Sequence, residues 1–248
     1  MIQAYLRGKL AIKDGGVKQN EDMRTSSSIG LLQYLPDNLF WKILHDSCVG
    51  SFPTDFGKIL TINFWEHTDA TDTTNERHVE PDVWIETEKY DVIIEAKLND
   101  TSGQYKQQWE KEIQSIKNEQ NNRNFQKQII LIALGGNDNN RLETILDCTV
   151  YKVSWFGLMN VVVNERDRHN ERDRHIDNSY VCRILDDVIE LFARQGVMKI
   201  DWLYSMPSFI HIEDNTLGLW QPVHNIDFTS ILTYNINEVN LQQWRPIG

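Results

Sequence analysis

Two acidic residues and a lysine stand within short apolar segments of the chain, where charged side chains need a physical reason to be. In residues 90–97 the charged residues Asp91, Glu95 and Lys97 stand among apolar ones, and Ala96 separates Glu95 from Lys97. Successive side chains of a β-strand point to opposite faces, so a strand here carries Glu95 and Lys97 on one face. Asp91 and Ile93 share that face. The opposite face is apolar and holds Val92, Ile94 and Ala96.

Asp82 lies on the preceding segment, and the short link between the two segments predicts a β-hairpin. A loop centred between Glu88 and Lys89 pairs residues whose numbers sum to 177, and Asp82 and Glu95 satisfy that sum. Directly opposite residues have Cβ atoms about 5 Å apart, where two like charges are destabilising. A divalent cation removes this repulsion, because carboxylates and waters form the oxygen-rich shell that Mg²⁺ prefers. The spacing therefore predicts a site for Mg²⁺, or Mn²⁺, between Asp82 and Glu95.

The alternative interpretation is a set of solvated charges on the polar face of a hairpin at the edge of a sheet. Three features favour the metal site instead. The opposite strand face is strongly apolar, Lys97 is placed to balance the carboxylates, and Pro81 directly before Asp82 suits the first residue of a strand.

Pro81–Asp82, twelve intervening residues and then Glu95–Ala96–Lys97 resemble the signature of the PD-(D/E)xK phosphodiesterases, a superfamily of restriction-type and repair nucleases. The resemblance covers about residues 20 to 155, because an acid-bearing helix precedes the hairpin and a helix and a strand follow it. It implies an α/β fold with a restriction-endonuclease-like core, a central mixed β-sheet flanked by helices. We therefore predict a nuclease core over residues 1–155 and a helical and irregular C-terminal extension packed on it over 156–248.

The resemblance also implies a role for each residue of the motif. Asp82 and Glu95 are implied metal ligands, and the carbonyl oxygen of Ala96 is implied as a further ligand. Lys97 is implied to orient or deprotonate the attacking water.

Two further residues resemble positions outside the short motif. Glu21 matches the helical acid that many members place near the metal, although Asp22 competes for this match and either could be a helix-start charge. Gln104 is similar to the catalytic glutamine that some members carry at the start of the helix after ExK. An ordinary exposed amide is the alternative for Gln104.

The activity implied by the resemblance is metal-assisted hydrolysis of phosphodiester bonds, with DNA as the expected nucleic acid and an endonuclease favoured over an exonuclease. Many small, free-standing members act in restriction or antiviral defence, which is the expected biological role. A homodimer is expected, since cutting both strands of a duplex needs two sites or two visits. The alternatives are a catalytically silent nucleic-acid- or protein-binding module with the same fold, and an effector that a small ligand or partner activates.

The elements that must position these residues are helices and strands in mixed order. Helical spacing of apolar residues predicts helices over 20–36, 37–48, 104–120 and 179–196, the third with a buried stripe of Tyr105, Trp109, Ile113 and Ile116. Alternating or continuous apolar runs predict strands over 58–68, the two hairpin segments, 126–136 and 149–155. Residues 141–147 suggest another helix, and residues 68–79 a polar loop. The repeated NERDRH over 164–175 predicts an exposed helix or loop outside the catalytic core.

The net charge of −11 is an objection to nucleic-acid binding, because phosphate contact usually leaves a basic footprint. Much of this acidity lies in residues 65–101, which hold eleven acids and three bases. Residues 104–128 instead carry five bases and three acids. An acidic segment beside a mildly basic helix is compatible with a metal site that meets phosphates.

The remaining candidates for chemistry are weaker. None of the seven histidines shows HxxxH or HExxH spacing, so zinc hydrolysis has little support. The residues Ser26–Ser28 suit helix capping or a loop better than a nucleophile, and Gly135–Gly136 lacks the length and lysine of a phosphate loop. Trp84 could stack on a base, but a core position is its ordinary role.

Cellular location is expected to be cytoplasmic, with no membrane partner. The first residues lack an apolar signal-peptide core, and no stretch approaches the roughly 20 apolar residues of a bilayer span. Cys48, Cys148 and Cys182 are odd in number and far apart, which predicts plain thiols in a reducing compartment.

Overall fold

The structure is a computed structural model that describes residues 12–13, 16–17, 20–139, 141–172 and 179–197. Its helices are α1 (Glu21–Leu32), α2 (Asp37–Ser47), α3 (Lys106–Asn122), α4 (Trp155–Arg172) and α5 (Ser179–Arg194). Its strands are β1 (Ile12–Lys13), β2 (Gly16–Val17), β3 (Ile59–Phe64), β4 (Thr68–Asp69), β5 (His78–Val79), β6 (Val83–Thr87), β7 (Tyr90–Ala96), β8 (Gln128–Leu134), β9 (Glu143–Ile145) and β10 (Cys148–Val153).

A mixed six-stranded sheet in the order β3-β6-β7-β8-β10-β9 forms the centre of the fold. Strands β7, β8 and β10 run parallel, and β3, β6 and β9 each pair antiparallel with a neighbour. The expected α/β class, with a mixed sheet flanked by helices, is confirmed. The parallel strands end at one edge of the sheet, and in open α/β sheets ligands bind outside such carboxyl ends.

The hairpin of β6 and β7 has the predicted register. Val83 pairs with Ile94 and Trp84 with Ile93, so both pairs sum to 177. Asp82 lies directly before the first of these pairs and Glu95 directly after it. A loop of two residues leaves little freedom for another register, because a slip of one residue would turn every side chain to the wrong face.

Two apolar layers cover the two faces of the sheet. Helix α3 packs its predicted stripe on one face, where Trp109, Ile113 and Ile116 meet Trp84 and Ile93. Helices α1, α2, α4 and α5 cover the other face, which carries Val92, Ile94 and Ala96. Tyr105 was predicted to belong to the α3 stripe, but it is 67% exposed because the helix begins only after it, at Lys106.

Three further local predictions were wrong. Residues 141–147 contain strand β9 in place of a helix, because Leu146 and Asp147 both adopt positive φ and form a two-residue hairpin turn into β10. Residues 68–79 are not only loop, since β4 and β5 pair at their two ends. The residues Ser26–Ser28 lie buried inside α1, and Asn20 provides its N-cap, accepting from the amide of Met23 at 2.9 Å.

The chain after the sheet adds two helices. Helix α5 ends before Gly196, which adopts φ +78°, as predicted. The first NERDRH copy is helical within α4, and its Glu165 is buried against Lys42 and Arg168. The second copy runs beyond the described residues, as does most of the predicted 156–248 extension. Among the described helices, none has the length and apolar character to cross a membrane.

Cys48, Cys148 and Cys182 are free thiols, as predicted. The first two are buried in the core. Burial raises the pKa of the Cys148 thiol to about 12, which leaves it protonated and unreactive at neutral pH.

Candidate metal centre

Three carboxylates converge where the hairpin meets the first turn of α1. Oxygen atoms of Glu21, Asp82 and Glu95 lie within 4.8 Å of one another, a spacing that a single metal ion can span. Asp82 and Glu95 arrive there through the hairpin register. Glu21 is brought to the site by the packing of α1, of which it is the first residue. It contacts Lys97, which is 76 positions away in the sequence.

Asp82 is held by two N–H donors, one on Trp65 directly after β3 and one on Ala96 at the end of β7. Trp65 Nε1 donates to Oδ1 at 3.0 Å, and the backbone amide of Ala96 donates to Oδ2 at 2.9 Å. The side chain is buried, with 7% of the residue exposed. Burial, and next the negative charge of Glu95, raise the pKa of Asp82 well above its ordinary value. The carboxylate is therefore well oriented but short of positive charge.

Glu95 is buried and shares its Oε1 atom between two donors. Lys97 Nζ forms a close ion pair with this oxygen, and Gln108 Nε2 donates to it at 2.5 Å. Burial, followed by the charge of Glu112, raises the pKa of Glu95 well above its ordinary value. Lys97 lowers the pKa of Glu95, but by less than burial and Glu112 raise it.

Lys97 is the cation of the site. Its ammonium group contacts Glu95 and lies 3.4 Å from Glu21. Burial acts to lower the pKa of Lys97, but the carboxylates of Glu95, Glu21 and Asp82 outweigh burial and raise it. The side chain is therefore an ammonium ion in this arrangement.

Glycines that follow β7 and β8 shape the space for the lysine stem. A Cβ atom on Gly136 would lie 2.9 Å from Cβ and Cγ of Lys97, and one on Gly103 would lie 3.2 Å from Cδ. A Cβ atom on Gly135 would meet the Lys97 carbonyl and the indole of Trp155, each at 2.7 Å. Because they lack Cβ atoms, Gly135 and Gly136 thus let the backbone pack closely against Lys97.

Glu112 on α3 is a site residue that the sequence analysis missed. It is 2% exposed, and its Oε2 atom has no hydrogen-bond partner among the described residues. Burial raises the pKa of Glu112 to about 8, and its carboxyl group is in hydrogen-bond contact with that of Glu95. Two carboxylates without a proton cannot bond to each other, so a proton or a cation must lie between them. The sequence feature that pointed to Glu112 is its position three residues after Trp109, at the edge of the buried stripe.

The charge balance of this carboxylate site, defined as Glu21, Asp82, Glu95, Glu112 and Lys97, fits a divalent cation. Four acidic side chains face one ammonium group, and three of the four acids are at most 7% exposed. Buried charge without compensation is strongly unfavourable, so the acids must take up protons or bind a cation. The donors are all carboxylate oxygens, which suit Mg²⁺ or Mn²⁺.

Gln104 is near the site but is fully engaged with other groups. Its Nε2 donates to the carbonyl oxygens of Glu95 and Gly135, and its Oε1 accepts from Trp109 Nε1 at 2.7 Å. The amide therefore braces β7 against the loop after β8. It is neither an ordinary exposed amide nor, in this arrangement, directed at the carboxylates.

The bases of residues 104–128 are mostly engaged within the protein. Lys106 pairs with Glu143, Lys117 donates to the carbonyl of Leu146, Arg123 pairs with Glu86, and Lys127 is buried beside Asp91. Their charges are thus partly neutralised. Trp84 is a core residue, 3% exposed, and donates to Asp91 at 3.3 Å, so it is not available for stacking on a base.

Comparison with known proteins adds one relative. No family model matches the chain, and no solved structure matches it. The chain is 28% identical over 243 residues to an uncharacterized protein of Pasteurella multocida (strain Pm70). That match covers 86% of this chain and 88% of the relative, so the similarity extends well beyond the hairpin motif.

Proposed function

We propose that this protein is a metal-dependent nuclease of the PD-(D/E)xK type, which hydrolyses phosphodiester bonds of a nucleic acid. The observation that carries the proposal is the convergence of Glu21, Asp82, Glu95 and Lys97 in one partly buried site. Surface charges on an edge hairpin would be exposed and would need no common partner. Here Asp82 and Glu95 are buried, and their negative charge exceeds what Lys97 can balance.

Asp82, Glu95 and Glu21 would hold Mg²⁺ or Mn²⁺, with the carbonyl of Ala96 proposed as a further ligand. When bound, the cation polarises the phosphate and lowers the pKa of a water molecule, which makes hydrolysis possible at neutral pH. Trp65 and the amide of Ala96 keep Asp82 in the orientation that the ligand role requires.

Lys97 would orient the attacking water. Its neighbours favour the ammonium form, which has three donors and no acceptor, so it can bind a water oxygen or a phosphate oxygen beside Glu95. A lysine that deprotonates water would need the opposite shift of its pKa.

The order of elements supports a restriction-endonuclease-like core as the finer fold. A helix with an acid (α1), the hairpin of β6 and β7, a helix (α3) and a parallel strand (β8) occur in this order along the chain, with other elements between α1 and the hairpin, and this order resembles that of the superfamily. By the same resemblance we propose DNA as substrate, endonucleolytic cleavage, a role in restriction or antiviral defence, and a homodimer.

A second candidate is a catalytically silent module with the same fold. The engagement of the α3 bases and the net charge of −11 favour it, because both weaken attraction for phosphates. A silent module that has lost its site would bind no Mg²⁺ or Mn²⁺, so a metal titration separates the two candidates.

The test of the proposed function is incubation of the purified chain with plasmid, linear duplex DNA, single-stranded DNA and RNA at low salt. Each substrate is incubated with Mg²⁺, Mn²⁺ or EDTA, and Glu95→Gln protein purified in parallel serves as the control. We expect metal-dependent cleavage by the wild type alone. Equal cleavage by the Glu95→Gln protein would overturn the assignment of the site, and absence of both cleavage and metal binding would favour the silent module.

A further inference from the structure

A second cluster of metal-binding side chains lies on the short ribbon of β4 and β5. His67, His78 and Glu80 each offer a ligand atom, and these atoms lie within 4.8 Å of one another. His67 Nε2 is 3.0 Å from an oxygen of Glu80, and the two imidazole rings stack with their centroids 3.7 Å apart. This ribbon site, defined as these three residues, contains none of the residues of the carboxylate site.

The register of the ribbon brings the three side chains to one face. Thr68 pairs with Val79 and Asp69 with His78, which places His67 opposite Glu80 on the same ladder. Opposite and next-but-one residues share a face, so His67, His78 and Glu80 point away from the face of Thr68 and Val79. Asp69 shares that face, but its carboxylate accepts from Thr71 and Asn122 and is already engaged.

The opposite face of the ribbon is fixed to α3 by buried polar contacts. Thr68 Oγ1 donates to the carbonyl of Val79 and contacts Ser115 Oγ, both at 2.9 Å. Asn118 donates to the carbonyl oxygens of Asp69 and Thr71. An isolated ribbon of two residue pairs would not hold its shape in water. Anchored on α3, it presents the two imidazoles and the carboxylate together before any ion arrives.

We infer that the ribbon site binds a late first-row transition metal such as Zn²⁺ or Co²⁺. Two imidazoles and one carboxylate form a donor set that zinc uses in proteins, with a remaining position for water. Imidazole nitrogen favours such metals over Mg²⁺, whereas the oxygen-only carboxylate site favours Mg²⁺ or Mn²⁺. The two sites therefore select different ions by their donor atoms, and the inference does not depend on nuclease activity.

An ion in the ribbon site would stabilise the segments that carry Asp82. Glu80 is two residues before Asp82, and His67 is two residues after Trp65, whose indole donates to Asp82. The backbone amide of Trp65 also donates to the carbonyl of Asp82 at 3.2 Å. A metal that joins His67 to Glu80 thus continues the contacts that hold these two segments together.

The experiment is a Co²⁺ titration of the full chain in excess Mg²⁺, which occupies the carboxylate site, followed through the visible absorption of bound Co²⁺. We expect one equivalent to bind, and His67→Ala and His78→Ala each to lower the affinity at least about tenfold, because loss of a ligand should cost no less than loss of a group that only orients one. His45→Ala is the matched control, since His45 is partly exposed and lies outside the cluster. It should bind Co²⁺ as the wild type does.

A second readout is the thermal midpoint, because an ion that binds only the folded state raises it. Zn²⁺ should raise the midpoint of the wild type and of His45→Ala, but not of the His67→Ala/His78→Ala double variant. All the proteins should melt alike in EDTA, which shows that the substitutions leave the fold intact. Failure of the wild type to bind Co²⁺, or an affinity equal to that of the wild type in both single histidine variants, would overturn the inference.

Discussion

At the scale of single residues, the buried carboxylates behave differently because their hydrogen bonds differ. Both oxygens of Asp82 accept from N–H groups, whereas Glu95 accepts at Oε1 and is also in contact with the carboxyl of Glu112. An amide at position 82 must turn its NH₂ toward another donor. An amide at position 95 can keep its oxygen on Gln108 and donate to Glu112.

We therefore expect Glu95→Gln to unfold with the same or a higher free energy than the wild type in EDTA, since it removes one of the buried like charges. Asp82→Asn should lose about 1–3 kcal/mol, because one buried donor is left without an acceptor. Both should lose cleavage and bind Mg²⁺ or Mn²⁺ weakly. Denaturant unfolding, metal titration and cleavage rate on the two variants check this. Full activity in either variant would contradict its role as a ligand.

Lys97→Ala should separate metal binding from turnover. Both carboxylates remain, so we expect Mg²⁺ affinity to persist while the cleavage rate falls by at least about 10²-fold, because the attacking water loses the group that positions it. Lys89→Ala is the matched control, since Lys89 is an exposed lysine paired with Asp55. A structural Lys97 would instead show lost stability and nearly normal turnover per folded molecule.

Glu112 should make the metal-free protein less stable as the pH rises. Its carboxyl pKa is raised from 4.5 to about 8, so between these values the folded state holds a proton that the unfolded state has lost. The unfolding free energy must then fall across this window, and the loss is complete above about pH 8.

Unfolding in EDTA between pH 5 and 8 should show this fall in the wild type and a smaller one in Glu112→Gln. Glu143→Gln is the control, because Lys106 and Lys152 lower the pKa of Glu143 and take its titration out of this range. Equal slopes for the wild type and Glu112→Gln would show that Glu112 does not carry the proton.

At the scale of elements, the ends of three parallel strands define the site. Lys97 follows β7, Gly135–Gly136 follows β8 and Trp155 follows β10. Trp155 Nε1 donates to the carbonyl of Lys97 at 2.6 Å, so the start of α4 supports the backbone that carries the lysine. The position of Lys97 thus depends on several loops meeting closely.

Gly136→Ala should displace Lys97 and lower both stability and turnover. Position 136 has φ +66°, and an added Cβ would also lie 2.9 Å from the carbonyl of Ser102. We expect a loss of about 1–3 kcal/mol from backbone strain, with the clash in addition. Gly196→Ala tests strain alone, because its φ is +78° and no residue that the structure describes lies within 4 Å of an added Cβ. Unfolding free energy and cleavage rate on both variants distinguish the effects, and normal turnover in Gly136→Ala would show that a glycine beside Lys97 is not needed for activity.

At the scale of the whole molecule, the sheet separates two apolar layers. The carboxylate site lies at the carboxyl end of the central strand β7, between the first turn of α1 and helix α3. A nuclease site of the proposed kind would cut one strand at a time. We expect a homodimer in solution, because a closed two-fold pair supplies two sites for a duplex. Light scattering should give twice the 29.1 kDa chain mass, and a monomer mass at working concentrations would contradict the predicted homodimer.

The sequence by itself determined the helices with strong apolar stripes, the central strands and the register of the β6–β7 hairpin. These depend on the period of side chains along one element and on a two-residue loop, which are local properties of the chain. They sufficed to predict that Asp82 and Glu95 face each other, and that Lys97 lies beside Glu95.

Only the tertiary structure decided which distant groups join them. Glu112 comes from α3, Gly136 follows β8, and His67 meets His78 across eleven positions through the pairing of β4 and β5. No short spacing marks these partners, because contacts between elements depend on how all the apolar faces pack at once. The pattern of a helix shows which side is buried, but the arrangement of the layers decides which charged residue at the edge of that side meets the site.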